Sequence, residues 1–92
     1  MNKEGGPKSP QQLAAEGMRN PQLFKCSWRG ADRVPPEVTL PNGKVAGIGY
    51  MRDGNIQLIL GDEVIEATYE RIESGIEEGW NAIHITYDAD VA

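Results

Sequence analysis

Residues 38–60, VTLPNGKVAGIGYMRDGNIQLIL, contain two dipeptides that decide the fold, Asn42-Gly43 and Asp53-Gly54. Both are typical of two-residue type I′ hairpin turns, because both central positions of that turn need a positive φ angle. The apolar residues on either side of each turn favour strands. The stretch therefore predicts a three-stranded antiparallel meander, with strands near residues 37–41, 44–52 and 55–61.

Each turn also predicts the register of its own hairpin. The first pairs Leu40 with Val45, and the second pairs Met51 with Ile56. Both registers give the same inward face, and a slip of one residue would exchange the two faces of a strand, so the agreement supports the register. The predicted inward face consists of Val38, Leu40, Val45, Met51, Ile56, Leu58 and Leu60, with Gly47 and Gly49 leaving a trough between them.

Residues 62–74 predict a helix after the meander. Asp62 suits the N-cap, Gly75 suits the position just past the end, and apolar residues recur at helical spacing. A strand is the competing interpretation, because Ile65, Ala67 and Tyr69 also alternate with polar residues. A final strand is predicted near residues 81–87. The predicted fold class is α+β and β-rich: the three-stranded meander, one helix and a C-terminal strand.

The N-terminal part of the chain carries little core material. Residues 1–22 predict a flexible arm with a possible short helix that begins at the Ser9-Pro10 capping signal. Residues 23–92 predict one small domain. Within it, residues 23–29 alternate as a strand does, which places Phe24, Cys26 and Trp28 on one apolar face.

Charge is distributed unevenly along the chain. Residues 1–44 carry seven Lys and Arg against four Asp and Glu, whereas residues 45–92 carry two against ten. The overall net charge is −5. This asymmetry indicates either two surfaces with different partners or two segments that attract one another within the fold.

Residue types that carry chemistry are scarce. The only histidine is His84 and the only thiol is Cys26, so the chain cannot supply the four Cys and His ligands of a structural zinc site. A nucleophile–base pair could be formed only by Cys26 and His84, and no further sequence feature supports one. Gly47-Ile48-Gly49 lies within a predicted strand rather than at a strand-to-helix turn, which excludes a dinucleotide fingerprint. The sequence predicts no catalytic residue, no metal ligand and no cofactor, and hence no enzyme.

Two clusters are candidate interaction sites. The first is basic and aromatic and consists of Phe24, Trp28, Arg29 and Arg33. The second is the acidic face of the predicted helix and includes Glu63, Glu66, Glu70 and Glu73. Nucleic acid is disfavoured as a partner, because the remainder of the chain would repel phosphate. Core packing of the aromatic residues and simple solvation of the acids are the plainer interpretations of both clusters.

The sequence as a whole favours a structural or interaction module. A β-rich body with a basic arm suits a protein that docks on a larger protein assembly, such as a small accessory protein that decorates a viral capsid, or that forms homo-oligomers. The alternative is a small acidic regulatory protein that binds a basic partner through its helix face. No apolar run is long enough to span a membrane, and the single free thiol suits the cytoplasm, or a virion if the protein is a capsid component.

Overall fold

The computed structural model describes residues 17–91, and they form an all-β fold. Six antiparallel strands make one sheet, in the order β1-β6-β5-β4-β3-β2, that curls into a nearly closed barrel. The strands are β1 (Pro21–Arg29), β2 (Val38–Thr39), β3 (Val45–Arg52), β4 (Asn55–Leu60), β5 (Glu63–Arg71) and β6 (Trp80–Asp88). The α+β prediction is therefore wrong.

The predicted helix at residues 62–74 is strand β5 instead. Gly61, with a φ of 63°, and Asp62 form a two-residue turn that sends the chain straight back along β4. Glycine in the first central position is typical of a type II′ hairpin. β5 then pairs with β4 on one side and β6 on the other, so its backbone groups are satisfied in the sheet. The competing alternation was the correct signal, because Ile65 and Ala67 are buried while Glu66 between them is exposed.

The hairpin at Asp53-Gly54 is confirmed. Asp53 has a φ of 52° and Gly54 a φ of 82°, the positive values that a type I′ turn needs. Met51 faces Ile56 as predicted. A β-bulge at Gly49 then shifts the register by one residue, so that Ile48 pairs with Leu58 rather than with Ile59.

The hairpin at Asn42-Gly43 forms with a different loop. The Leu40 N–H donates to the Lys44 carbonyl at 2.8 Å, so three residues rather than two separate the strands. The predicted pairing of Leu40 with Val45 is wrong by one residue, and the sheet pairing of this hairpin is short, with Val38 facing Ala46. Val45 consequently points outward, and Ala46 takes its place in the core.

The core lies inside the curled sheet and draws on every strand. The largest fully buried side chains are Val38, Leu40, Ile56, Leu58, Ile83, Ile85 and Tyr87. The predicted strands at residues 23–29 and 81–87 are confirmed as β1 and β6, and Phe24, Cys26 and Trp28 share the inward face of β1 as expected. The first and last strands of the described chain pair with each other along their whole length.

Three side chains fasten the connection between β1 and β2. The Trp28 indole N–H donates to the Asp32 carbonyl at 2.7 Å, and the Asn81 amide donates to the Gly30 carbonyl at 2.9 Å. The Arg71 guanidinium donates to the carbonyl of Arg33, also at 2.9 Å. The connection is thus held across the end of the barrel from which β6 begins. The short helix predicted near residues 9–16, and most of the predicted arm, lie outside the described residues.

Candidate interaction surfaces

The outer face of β3, β4 and β5 carries an exposed apolar patch. Val45, Ile59 and Val64 are 54%, 37% and 56% exposed, and we call these three residues the valine patch. Ile59 and Val64 face each other across β4 and β5, and Gly47 faces Ile59 from β3. Gly47 leaves open space, since nothing lies within 4 Å of where its Cβ would be. Ile59 and Val64 therefore adjoin directly, and Gly47 leaves a notch on the β3 side of the patch, two residues from Val45.

A polar network borders the valine patch along the same three strands. The Tyr50 hydroxyl donates to one oxygen of the Glu66 carboxylate, and the Gln57 amide donates to the other at 2.9 Å. The Arg52 guanidinium lies 4.9 Å from the centre of the Tyr50 ring, within the range of a cation–π contact. Residues that meet across three strands in this way hold the border in a defined arrangement.

The same network tunes the ionisation of its members. The hydrogen bond from Tyr50, and then that from Gln57, lower the pKa of Glu66 below its ordinary value. The bond to Glu66 in turn raises the pKa of Tyr50, because the phenol is the donor and would lose that role on ionisation. The border of the valine patch therefore keeps a localised negative charge at neutral pH.

The four acidic residues predicted to share a helix face do not form one stripe. Glu66 and Glu70 both lie on the outer face of β5, four residues apart along the strand. Glu63 begins the strand beside the turn, and Glu73 lies beyond its end. A strand places alternate residues on opposite faces, so the helical spacing that grouped these acids has no structural meaning here. Of the four, only Glu66 adjoins the valine patch.

The basic and aromatic cluster is also split by the sheet. Phe24 and Trp28 point inward, where Phe24 packs edge-to-face on Tyr87 with ring centres 5.6 Å apart. Arg29 lies on the opposite, outer face of β1, and Arg33 is exposed in the following connection. Both rings thus pack with the core, as the plainer interpretation of the pair holds.

An exposed aromatic residue that the sequence did not single out lies on the outer face. Trp80 is 39% exposed and faces Arg29 across the β1–β6 pair. It borders a shallow cavity of about 210 Å³ whose other walls include Lys25, Ile76 and Glu77. The sequence signals a strand near Trp80 but carries no local signal that β6 pairs with β1, and that pairing is what brings these residues together.

The two residues with potentially reactive side chains, Cys26 and His84, lie on opposite faces of the sheet. Cys26 points into the core, and burial raises the pKa of its thiol, which favours the unreactive protonated form. His84 faces Lys25 on the outer side of the sheet, so the two candidate partners of a nucleophile–base pair lie on opposite faces. Within residues 17–91, no group of three or more His, Cys, Asp or Glu side chains is placed to hold a metal ion.

No family model, curated protein or solved structure matches this chain. The candidate functional features are therefore the surfaces of the described residues. Among the described residues, no helix is long and apolar enough to cross a membrane.

Proposed function

We propose that this protein is a non-enzymatic interaction module that docks on a larger protein assembly through the outer face of β3, β4 and β5. The observation that supports the proposal best is the valine patch, in which Val45, Ile59 and Val64 present exposed apolar surface on three adjacent strands. Single exposed apolar residues are ordinary on soluble proteins, but a contiguous set with a polar border is typical of a binding surface.

The rigidity of the sheet also supports docking through this face. Side chains that extend from paired strands are held in place before binding, which lowers the entropy lost when a partner docks. The carboxylate of Glu66 is fixed by Tyr50 and Gln57 and supplies a directional charge beside the patch. Apolar contact at the centre with a polar rim is the common anatomy of protein interfaces.

A capsid surface is one assembly that suits this body plan, and the protein would then be a small decoration protein. The arm, which includes residues 1–16 outside the described range, belongs to the same proposal as a second point of attachment. The alternative, an acidic regulator that binds through a helix face, loses its basis because β5 replaces the helix.

The experiment compares Ile59→Lys with Val91→Lys. Both residues are exposed and apolar, at 37% and 52%, but Val91 follows β6 and is not part of β3, β4 or β5. Full-length chains are immobilised and exposed to lysate of the native source, and the retained proteins are identified and purified. We expect one defined protein to bind the wild-type chain and Val91→Lys, with Ile59→Lys at least about tenfold weaker, as for a central interface residue.

Thermal melts of both variants serve as the folding control, because an outward-facing lysine should leave the core intact. Equal binding by Ile59→Lys and Val91→Lys to the purified protein would contradict docking through the valine patch. Loss of binding by both variants would place the contact elsewhere in the chain and would contradict the proposal equally.

A further inference from the structure

Strand β1 has an edge that no described strand occupies. It lies at one end of the sheet and pairs with β6 on one side only. The strand at the other end, β2, has two residues and is too short to close the barrel against the nine residues of β1. Within residues 17–91, alternate backbone N–H and C=O groups of β1 are therefore without a strand partner at this edge.

A groove separates the two ends of the sheet. Its volume is about 400 Å³, and one wall is residues 25–28 of β1. The opposite wall is Pro36, Glu37 and Thr39, at the start of β2. The groove thus runs along the same edge of β1 whose backbone groups lack a strand partner.

The core is incompletely covered at this edge. Phe24 and Cys26 on β1 are only half-buried, although their neighbours across the pair, Ile85 and Ile83 on β6, are fully buried. An inward-facing side chain is covered by neighbours on both sides of its strand, so the lack of a neighbour beyond β1 explains the difference. An additional strand in the groove would supply apolar cover for both residues.

Charge on the outer face of β1 restricts what such a strand can carry. Lys25 and Arg29 are exposed and lie on the same side of the strand. Carboxylates directly beside them would be favourable, and cations would not. Glu37 on the opposite wall repels a carboxylate placed next to it, so the complementary acids belong on the β1 side of the groove.

We propose that the free edge of β1 binds an extended segment of a partner protein by strand addition, with apolar side chains toward Phe24 and Cys26 and carboxylates beside Lys25 and Arg29. Main-chain hydrogen bonds supply affinity in this mode, and alternate side chains supply specificity. A second copy of β1 suits the edge less well, because it would bring Lys25 and Arg29 of both copies to the same face of the paired strands. This site is separate from the valine patch and does not depend on it.

The test uses three capped peptides as long as β1. The first alternates valine with glutamate, the second alternates valine with lysine, and the third is the first with an N-methyl group on every amide. Binding to the full chain is followed by NMR hydrogen exchange of the amides of residues 22–29. We expect the glutamate peptide to slow exchange of alternate β1 amides, and the N-methylated peptide, which cannot complete the strand ladder, to have no such effect.

Charge reversal on β1 tests the side-chain part of the proposal. Lys25→Glu with Arg29→Glu should weaken the glutamate peptide about tenfold, through two cross-strand pairs, and should make the lysine peptide the better ligand. Lys44→Glu is the matched control, since its side chain is exposed in the β2–β3 loop and does not line the groove, and it should leave the preference unchanged.

Three results would overturn the proposal. Equal binding by the N-methylated peptide would show simple electrostatic attraction without strand addition. Protection of the same amides by self-association, without peptide, would assign the edge to a second copy. Binding that appears only when the chain is truncated to start at Gln11 would show that residues 1–10 already occupy the groove. None of these results bears on docking through the valine patch.

Discussion

The Asp88 carboxylate, at the end of β6, accepts a hydrogen bond from the backbone N–H of Arg19 at 3.0 Å. The same carboxylate accepts from the N–H of Asn20 at 3.2 Å and from that of Asp90 at 2.9 Å. One side chain therefore ties the segment that enters β1 to the segment that leaves β6. The acidic run Asp88-Ala89-Asp90 therefore includes a carboxylate with a structural contact.

The first prediction concerns acid sensitivity. The hydrogen bond from the Arg19 N–H, followed by that from Asp90, lowers the pKa of Asp88 below its ordinary value of 3.8. A lowered pKa in the folded state gives stability that is complete above pH 3.8 and lost as the pH falls through the folded value. Asp88→Asn should lower the melting temperature at pH 7 and reduce its decline in acid. Melts from pH 7 to pH 2 would show this, and parallel curves for both proteins would contradict it.

The second prediction concerns the core. Leu58 is completely buried, so Leu58→Ala should lower the free energy of unfolding by about 2–5 kcal/mol. Leu60 is only partly buried, and Leu60→Ala should cost less than Leu58→Ala. Chemical denaturation of both variants measures the difference. A loss below about 1 kcal/mol for Leu58→Ala would mean that the inward face of β4 is misassigned.

The third prediction separates two glycines of β3. A Cβ on Gly49 would lie 2.0 Å from Oε1 of Gln57, whereas Gly47 has open space around it. Gly49→Ala should push the flexible Gln57 side chain aside and break its bond to Glu66, so that the pKa of Glu66 rises toward its ordinary value. Gly47→Ala should leave that pKa unchanged and stabilise the fold by about 0.4–1 kcal/mol. NMR titration of Glu66, together with denaturation, tests both; identical titrations would contradict the bulge geometry.

The fourth prediction concerns the N-terminal arm. A chain truncated to begin at Gln11 should melt like the full chain, because the buried core residues of the described chain all lie at or after Trp28. Its association with the docking partner should be lost if the arm is the second point of attachment. A collapse of the melting temperature would show that residues 1–10 belong to the core. Unchanged melting with unchanged association would remove the arm from the proposed function.

Local turn chemistry was the part of the fold that the sequence predicted well. A type I′ hairpin turn needs positive φ angles at both central positions, and Asp53-Gly54 tolerates them. Asn42-Gly43 signals a hairpin equally well but does not specify the loop length, because an Asn side chain can cap a longer loop, as Asn42 does here by accepting from the Lys44 N–H at 2.9 Å. A turn signal thus predicts that a hairpin exists more reliably than it predicts register.

The error over β5 has a different origin. Its apolar residues satisfy a helical period and a strand period together, and local caps favour the helix. Pairing with β4 and β6 decides for the strand, and no local sequence signal reports such pairing. For the same reason the sequence did not predict the surface around Trp80, which depends on the pairing of the first and last strands. The valine patch was missed because the three-residue loop and the bulge at Gly49 turn Val45 outward, whereas the predicted register placed it inside. Val64 was missed because it falls in the predicted helix.

The pairing of β1 with β6 has a consequence for how this unit can be joined to other proteins. The Ala89 N–H donates to the Asn20 carbonyl at 2.9 Å, so the described chain enters and leaves the sheet at neighbouring points. A domain with adjacent ends can be inserted into a surface loop of a host protein with short linkers, and it can be circularly permuted. New ends opened at Asp53-Gly54 would leave the β1–β6 ladder uncut. The chain segments that adjoin Asn20 and Ala89 therefore leave from the same corner of the barrel.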